Sequence, residues 1–547
     1  AYYASWFVFP DNSALDWSSL GECDYLYVSH LHHDHFDAEN LDRHVSKSAT
    51  VLLPDFPVDD LEDALRELGF TNFLPIPDNT PVELNGMRIQ ISALVSPNDG
   101  PLGDSALAVD DGTAIVLNQN DARPLGYDAL GAFAGDAGYD AHLLQFSGAI
   151  WYPMVYDLPE KTKTKVGLEK RSNGLARAMR YAVDLGASYV IPSAGPPCFL
   201  DDELFAHNDT GHDPANVFPD ATVFIEYLAE NGHDNGRLLI PGSTADVAHV
   251  ADGADAAARA TCAVTHPIPE AEVEAIFTDK ATYLKDYAAR QAPRIAAEKA
   301  AWPAPDVDIF GELQAWFEPL LELSVQFADG IGYPVELRIA GDPTAPAGDA
   351  RGDDESVVID FPAKVVRRPS DGEKCRYRFG VRRVLIERLI ADHEIDWVNT
   401  LFLSMRFDAH RAGTYNEFLY TFFKCLIDER LEYAEGWFAE RRDDDSETVL
   451  DGWAMQARCP HLKAELAHFG VVEGTTLTCR MHGWQWDLTS GRCLTSRGHE
   501  LRCHWTGEGD PPSDAEAGSP VRIAQASGGQ VDGALAGAED ETPDVGT

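Results

Sequence analysis

A chain of 547 residues is longer than one hydrophobic core serves and divides into several domains. Its 43 lysines and arginines face 90 aspartates and glutamates, a formal charge of -47, which argues against nonspecific binding to nucleic acid or anionic lipid. No apolar run reaches the roughly 18 to 20 residues that span a bilayer, no charged-then-apolar leader opens the chain, and the nine cysteines are scattered in a reducing-compartment pattern. A cytoplasmic location is expected, without membrane insertion. The sequence opens at Ala1 inside what reads as an existing domain, so its first strands are expected to be missing.

The run CDYLYVS (23–29) alternates as a strand does and delivers His30 at its end, with a helix expected to follow from Asp37 as N-cap. Apolar runs at 113–118, 141–146 and 188–192 alternate with helical stretches at 61–69 and 175–186, which predicts a layered α/β domain. Between strand and helix, SHLHHDHFD places His30, His32, Asp34 and His35 in the order His-x-His-x-Asp-His, while His33 reads as a spectator. Donors this close can serve adjacent metals, because successive residues at a turn point to different sides of a cleft. This motif resembles that of the metallo-β-lactamase fold.

The resemblance implies a third histidine, a bridging aspartate and a last histidine downstream. Asp121 in LNQNDARP suits the bridging role, but Ser96 stands where a histidine is expected, and 191–199 contains none. The hydrolase set is therefore depleted. What remains, His30, His32 and Asp121, is two imidazoles and a carboxylate, the donor set of non-haem iron oxygenases. Asp34 and His35 either join the metal or support its ligands.

Between Lys161 and Arg180 lies a basic island, with Lys161, Lys163, Lys165, Lys170, Arg171, Arg177 and Arg180 against only Glu169. A helix starting near Ser172 would put Arg177 and Arg180 on its outer face, and the loop before it could gather phosphate. A solvated flexible loop is the alternative. Trp151 and Tyr152 either line a ligand pocket or belong to the core. Residues 271–445 read as a mainly helical extension, interrupted by a Gly/Pro/Asp-rich loop at 340–356.

Near the C-terminus, CPH (459–461) and CRMHGW (479–484) supply Cys459, His461, Cys479 and His482. Two such loops place two thiolates on one iron and two imidazoles on the other, the ligation of a Rieske [2Fe–2S] cluster. A Cys2His2 zinc site is the alternative. Cys493 and Cys503 lie outside both loops, which fits the lower-potential, oxygenase-like type. After about Thr506 the chain is acidic and nearly free of large apolar residues, so 506–547 is expected to be a disordered tail.

The order of parts, with LQFSGAIWYPMVYDLP (144–159), PSAGPPCFLDDEL (192–204) and YTFFKCLIDERL (420–431), resembles the bacterial UDP-N-acetylmuramate hydroxylases and, more distantly, the CMP-N-acetylneuraminate hydroxylases. The resemblance implies a multidomain α/β plus β protein: a metallo-β-lactamase-like αββα domain (1–270), the helical extension (271–445) and an all-β Rieske domain (446–505). It also implies O2-dependent hydroxylation of the N-acetyl methyl group of UDP-N-acetylmuramic acid, with non-haem iron at His30, His32 and Asp121. Arg123, Lys170, Arg171 and Arg177 are candidates for holding the diphosphate. Electrons would come from NADPH through a separate reductase or ferredoxin, since no dinucleotide fingerprint stands out. Oligomer formation is left open. A metallo-β-lactamase-fold hydrolase with an accessory Rieske domain, and a redox carrier or sensor, are the rival readings.

Overall fold

The computed structural model describes all residues except 97–99, 125, 250–259, 305–306, 344, 346–348, 441–445, 461–463, 482, 496–499 and 508–547. The expectations for the acidic tail and for His461 and His482 therefore lie outside the described residues.

Three parallel strands, β1 (Tyr25–Tyr27), β2 (Thr50–Pro54) and β3 (Phe73–Ile76), form a small sheet. A second, six-stranded sheet comprises β4 (Val82–Leu84), β5 (Met87–Ser96), β6 (Gly100–Asp110), β7 (Ile115–Asn118), β8 (Ala141–Gln145) and β9 (Tyr189–Ser193), in the order β9-β8-β7-β6-β5-β4. The alternation of side chains along a strand builds the layers. Val51 and Leu53 face the helix Asp60–Glu67 through Leu61, Leu65 and Phe70, while Leu52 meets Ile76, Ile89 and Ile91 between the sheets. On the far side Ala106, Ala108 and Leu117 pack under Leu130 and Phe133 of the helix Asp128–Ala134. The result is the αββα layering of the metallo-β-lactamase fold, as the sequence predicts.

The basic island does not form a loop ahead of a helix near Ser172. One helix, α1 (Glu160–Leu185), runs through all of it, starting after Pro159 and ending where Gly186 takes a left-handed conformation at φ 63°. Lysines and arginines are good helix formers, so charge density alone does not mark a loop. Gly167 allows the close approach of α1 to the following loop: a Cβ there would lie 2.1 Å from the Ala215 carbonyl oxygen.

The 271–445 stretch is rich in helix, as expected, yet it also folds a five-stranded sheet. Its strands are β10 (Pro334–Ala340), β11 (Glu355–Asp360), β12 (Val365–Arg367), β13 (Tyr377–Arg382) and β14 (Phe407–Arg411), in the order β12-β11-β10-β13-β14. Val335, Leu337 and Ile339 alternate into the same core as Trp397, Phe402, Tyr420 and Phe423. The Gly/Pro/Asp-rich segment joins β10 to β11, and within it Asp342 is buried and accepts a hydrogen bond from Arg351.

Two three-stranded antiparallel sheets close the chain. One has the order β15 (Glu447–Leu450), β16 (Trp453–Gln456), β20 (Cys503–Trp505); the other is β17 (Gly470–Glu473), β18 (Thr476–Cys479), β19 (Trp484–Asp487). Their core is continuous with the first domain: Met455, Cys459, Cys479, Met481 and Trp486 pack with Leu144 and Phe146 and with Leu175, Ala178 and Tyr181 of α1.

Candidate metal centre and cluster site

After β1 the chain turns sharply, with the His35 and Phe36 amides donating to the His32 carbonyl at 2.9 and 2.7 Å. Asp37 then caps the helix Ala38–His44, accepting from the Asn40 amide at 3.1 Å, as its position predicts. The turn throws His30, His32 and His35 toward one space, their rings 4.3 to 4.4 Å from that of His30. Asp121 arrives from a tight turn after β7, in which Asn120 adopts φ 51°, a conformation asparagine tolerates better than most residues.

A fifth donor, Asp104 on β6, was not anticipated. The nitrogen and oxygen donors of His30, His32 and Asp104 lie within 4.8 Å of one another, and so do those of His30, His35 and Asp121. The expected triad of His30, His32 and Asp121 is thus divided, among the described residues, between two overlapping sets that share His30. The signal that could have revealed Asp104 is its place in GDSAL, inside the strand where a histidine was sought. Spacing from the motif could not rank it against the many other acids. The side chain of Ser96 lies outside the described ones.

Two atoms at this place are buried and lack a hydrogen-bond partner, His30 Nε2 and Asp121 Oδ1, and Asp104 Oδ1 lies 3.4 Å from His30 Nε2. Orphaned donors and acceptors of this kind are rare in folded proteins, and their convergence fits a bound cation. Hydrogen bonds hold the ligands from behind. His30 Nδ1 is 3.0 Å from Ser29 Oγ, and Ser105 Oγ donates to the Ser29 carbonyl at 2.6 Å while bonded to Tyr27. With His30 Nδ1 so occupied, Nε2 is free for the metal. Asp34 lies at the rim, where Tyr2 donates its hydroxyl to it at 2.5 Å and His35 Nε2 is 3.7 Å away. His33 stacks on Tyr2 and stays outside, as expected of a spectator.

Electrostatics agree with cation binding. Burial and the neighbouring His35 push His30 down to about 3, and burial with the His30 charge puts His32 far below its usual range. His35 goes the other way: burial opposes its charge, yet Asp121, Asp34 and Asp104 raise it to about 9. A protonated His35 thus neutralises the carboxylates until a metal displaces the proton.

In the C-terminal domain Cys459 and Cys479 are both buried. The Cys459 amide donates to Ala464, and Gly483, at φ 75°, donates to Cys479, which closes the second loop tightly. The environment of His461 and His482 is not described, but Met481, beside His482, is held from α1. Arg177 Nη1 donates to its carbonyl at 3.1 Å and the Tyr181 hydroxyl to its sulfur at 2.9 Å. Arg177 is therefore buried inside the molecule and not on the outer face of its helix, because that face packs against the C-terminal domain. Arg180 is exposed and pairs with Asp184.

The other candidate contacts divide. Arg171 is engaged by Asp209 at 3.0 Å and by two backbone carbonyls, a structural role. Arg123 donates to Gln145 at 3.3 Å, and Lys170 faces the Tyr152 ring. Trp151 packs on Phe402 and Tyr420 in the core.

Two family models match the chain: an Rv3818-like, SCP2-like domain over residues 309–440 and a Rieske [2Fe–2S] domain over 438–504. The Rieske 2Fe-2S iron-sulfur protein Rv3818 of Mycobacterium tuberculosis is 53% identical over 508 residues, covering 92% of this chain and 94% of that protein. A relative of the same description in Mycolicibacterium smegmatis is 53% identical over 509 residues, with the same coverage. Among solved structures, CmlA, a diiron β-hydroxylase from Streptomyces venezuelae, aligns with a TM-score of 0.29 at 19% identity, over 40% of this chain and 44% of its own. With two cluster-type cysteines buried at the foot of α1 and relatives matched along nearly their whole length, the chain belongs to the Rieske 2Fe–2S iron–sulfur proteins of the Rv3818 type.

Proposed function

We propose that the protein is an O2-dependent monooxygenase that converts the N-acetyl methyl group of UDP-N-acetylmuramic acid to N-glycolyl. One observation carries the oxidative part of this reading. A converging histidine–carboxylate set with two orphaned buried atoms, His30 Nε2 and Asp121 Oδ1, shares one molecule with a Rieske domain, and α1 joins them. Arg177 on that helix reaches the Met481 carbonyl beside His482 and lies within Coulomb range of Asp121. The substrate rests on the sequence resemblance.

The chemistry explains why both sites are needed. An unactivated methyl C–H bond does not yield to acid–base groups, so iron at the histidine–carboxylate set would supply O2 activation and the cluster the electrons. Overall, one oxygen atom of O2 enters the C–H bond and the other leaves as water, consuming two electrons and two protons. NADPH supplies the electrons through a separate reductase or ferredoxin, in the cytoplasm. The protein's own residues keep His30 and His32 neutral for coordination, orient His30 through Ser29, and seal the cluster loops against α1.

The test is incubation with UDP-N-acetylmuramate, NADPH and a reductase under 18O2, followed by mass spectrometry. Incorporation of one labelled oxygen into the N-acyl group is the expected result. Hydrolysis of the substrate without incorporation would instead support the hydrolase reading, and no turnover of any kind the carrier reading.

A further inference from the structure

Around the ring of Tyr152 the fold gathers positive charge from three separated stretches of chain. The Arg411 guanidinium, at the end of β14, lies 4.8 Å from the Tyr152 ring centroid and 5.4 Å from that of Tyr156. Lys170 Nζ, from α1, lies 5.3 Å from the same Tyr152 ring. Arg177 follows two turns later on the same face of α1, and Arg123 follows Asp121 out of the turn after β7. Burial, and after it Coulomb repulsion from Arg411, Arg123 and Arg177, brings the Lys170 ammonium down to about 8.

Of the four, Arg177 is buried and Arg411, Lys170 and Arg123 are half-buried; elsewhere in this acidic molecule cations at such depth are matched to carboxylates, Arg406 to Asp201, Lys280 to Asp220 and the half-buried Arg171 to Asp209. Here they are not. Among the described residues none of the four forms an ion pair, and the hydrogen bonds of Arg123 and Arg177 go to neutral oxygens of Gln145 and Met481. The carboxylates in Coulomb range are Glu169 for Lys170 and Asp121 for both Arg177 and Arg123, and Asp121 is already engaged with His35. Holding like charges together where water reaches them only in part is costly unless an anion joins them.

Beside the cations runs a wall of tyrosine. Tyr152 meets Tyr156 edge-on at 5.0 Å, the Tyr156 and Tyr420 hydroxyls are bonded, and Tyr415 stacks on Tyr420 at 5.0 Å. Tyr415 in turn meets Trp484, next to the second cluster loop, at 6.0 Å. We propose that Arg411, Lys170, Arg177 and Arg123 form a binding site for an organic diphosphate, with the anion held by the four cations and the organic part laid along the Tyr152 wall. The SCP2-like domain would thus supply a ligand contact that the basic island could not reveal, and Arg171 is excluded from the site. The charge argument stands by itself; only the identity of the physiological ligand rests on the proposed function.

Titration calorimetry of the full chain with its cluster loaded, using inorganic pyrophosphate and then UDP, tests the site. Pyrophosphate should bind with an affinity that falls as salt rises, and Arg411→Gln or Lys170→Gln should each weaken it by about tenfold or more. Arg180→Gln, on the outer surface, should leave it unchanged. UDP should bind more tightly than pyrophosphate, and Tyr152→Leu should erase that advantage. Absence of pyrophosphate binding, or affinity retained in both Arg411→Gln and Lys170→Gln, overturns the site, and an unchanged UDP preference in Tyr152→Leu overturns the aromatic wall. If Arg411→Gln melts early, Lys170→Gln carries the decision, since the lysine is not part of the tyrosine core. Pyrophosphate binding without hydroxylation of UDP-N-acetylmuramate would defeat the proposed reaction and leave this site standing.

Discussion

At the scale of single residues the least expected participant is Asp104. Its Oδ1 lies 3.4 Å from His30 Nε2, and its carboxylate shares with His30 and His32 a space in which all three donor atoms lie within 4.8 Å of one another. Asp104→Asn and His35→Ala are each expected to lower the metal bound per chain outside the cluster, measured by elemental analysis against sulfide content. His33→Ala should not, because its ring stacks on Tyr2. Unchanged metal in both of the first two variants would remove these residues from the centre.

Glu394 offers a separate test by pH. Burial, with Asp396 adding repulsion, raises its carboxyl from the usual 4.5 to about 7. The folded state keeps this proton where the unfolded state has lost it. The sign follows from proton counting: the folded form binds more protons between pH 4.5 and about 7, so stability falls as pH rises through that window. Glu394→Gln should flatten this part of the pH profile of the urea midpoint. A profile identical to the parent's would refute the assignment.

At the scale of elements, α1 organises the site. It lies on the first domain's sheet, carries the Met481 anchors Arg177 and Tyr181, and presents Lys170 to Tyr152. The sequence showed its charge but not its use, because helical periodicity reports which face is apolar and not which cations will be covered by a domain arriving some 300 residues later. Gly167 gives a prediction with an inverted sign. Replacing an interior helix glycine by alanine ordinarily stabilises by about 1 kcal/mol. Here the added Cβ would meet the Ala215 carbonyl at 2.1 Å, so Gly167→Ala should destabilise by about 1–3 kcal/mol, read from the shift in denaturant midpoint.

At the scale of the whole molecule, a formal charge of -47 opposes compaction through self-repulsion. Added salt screens exposed charges over roughly 8–10 Å at ordinary ionic strength, so the melting temperature should rise from low to moderate KCl. A melting temperature that falls would mean that screened surface ion pairs outweigh the repulsion. At this scale α1 and the C-terminal domain share one hydrophobic core.

Motifs made of neighbouring residues were legible before any fold was known. The His30–His35 run, the Cys459 and Cys479 loops and the Asp37 cap each need only a strand end or a tight turn to work, and local sequence encodes both. A layered α/β domain was legible for the same reason, since alternation along a strand is a local pattern, whereas the αββα order came from the family resemblance. Contacts between distant segments were not. Asp104 joins His30 and His32 because the β6 strand lies beside the loop after β1, Arg177 is buried because a distant domain covers its helix, and Arg411 and Lys170 come to the same Tyr152 ring from distant segments. Strands as short as Val365–Arg367 hide in helix-rich text until their partners align. Strand register and domain packing set these proximities, and both arise from the summed burial of many apolar side chains, a quantity no single motif contains.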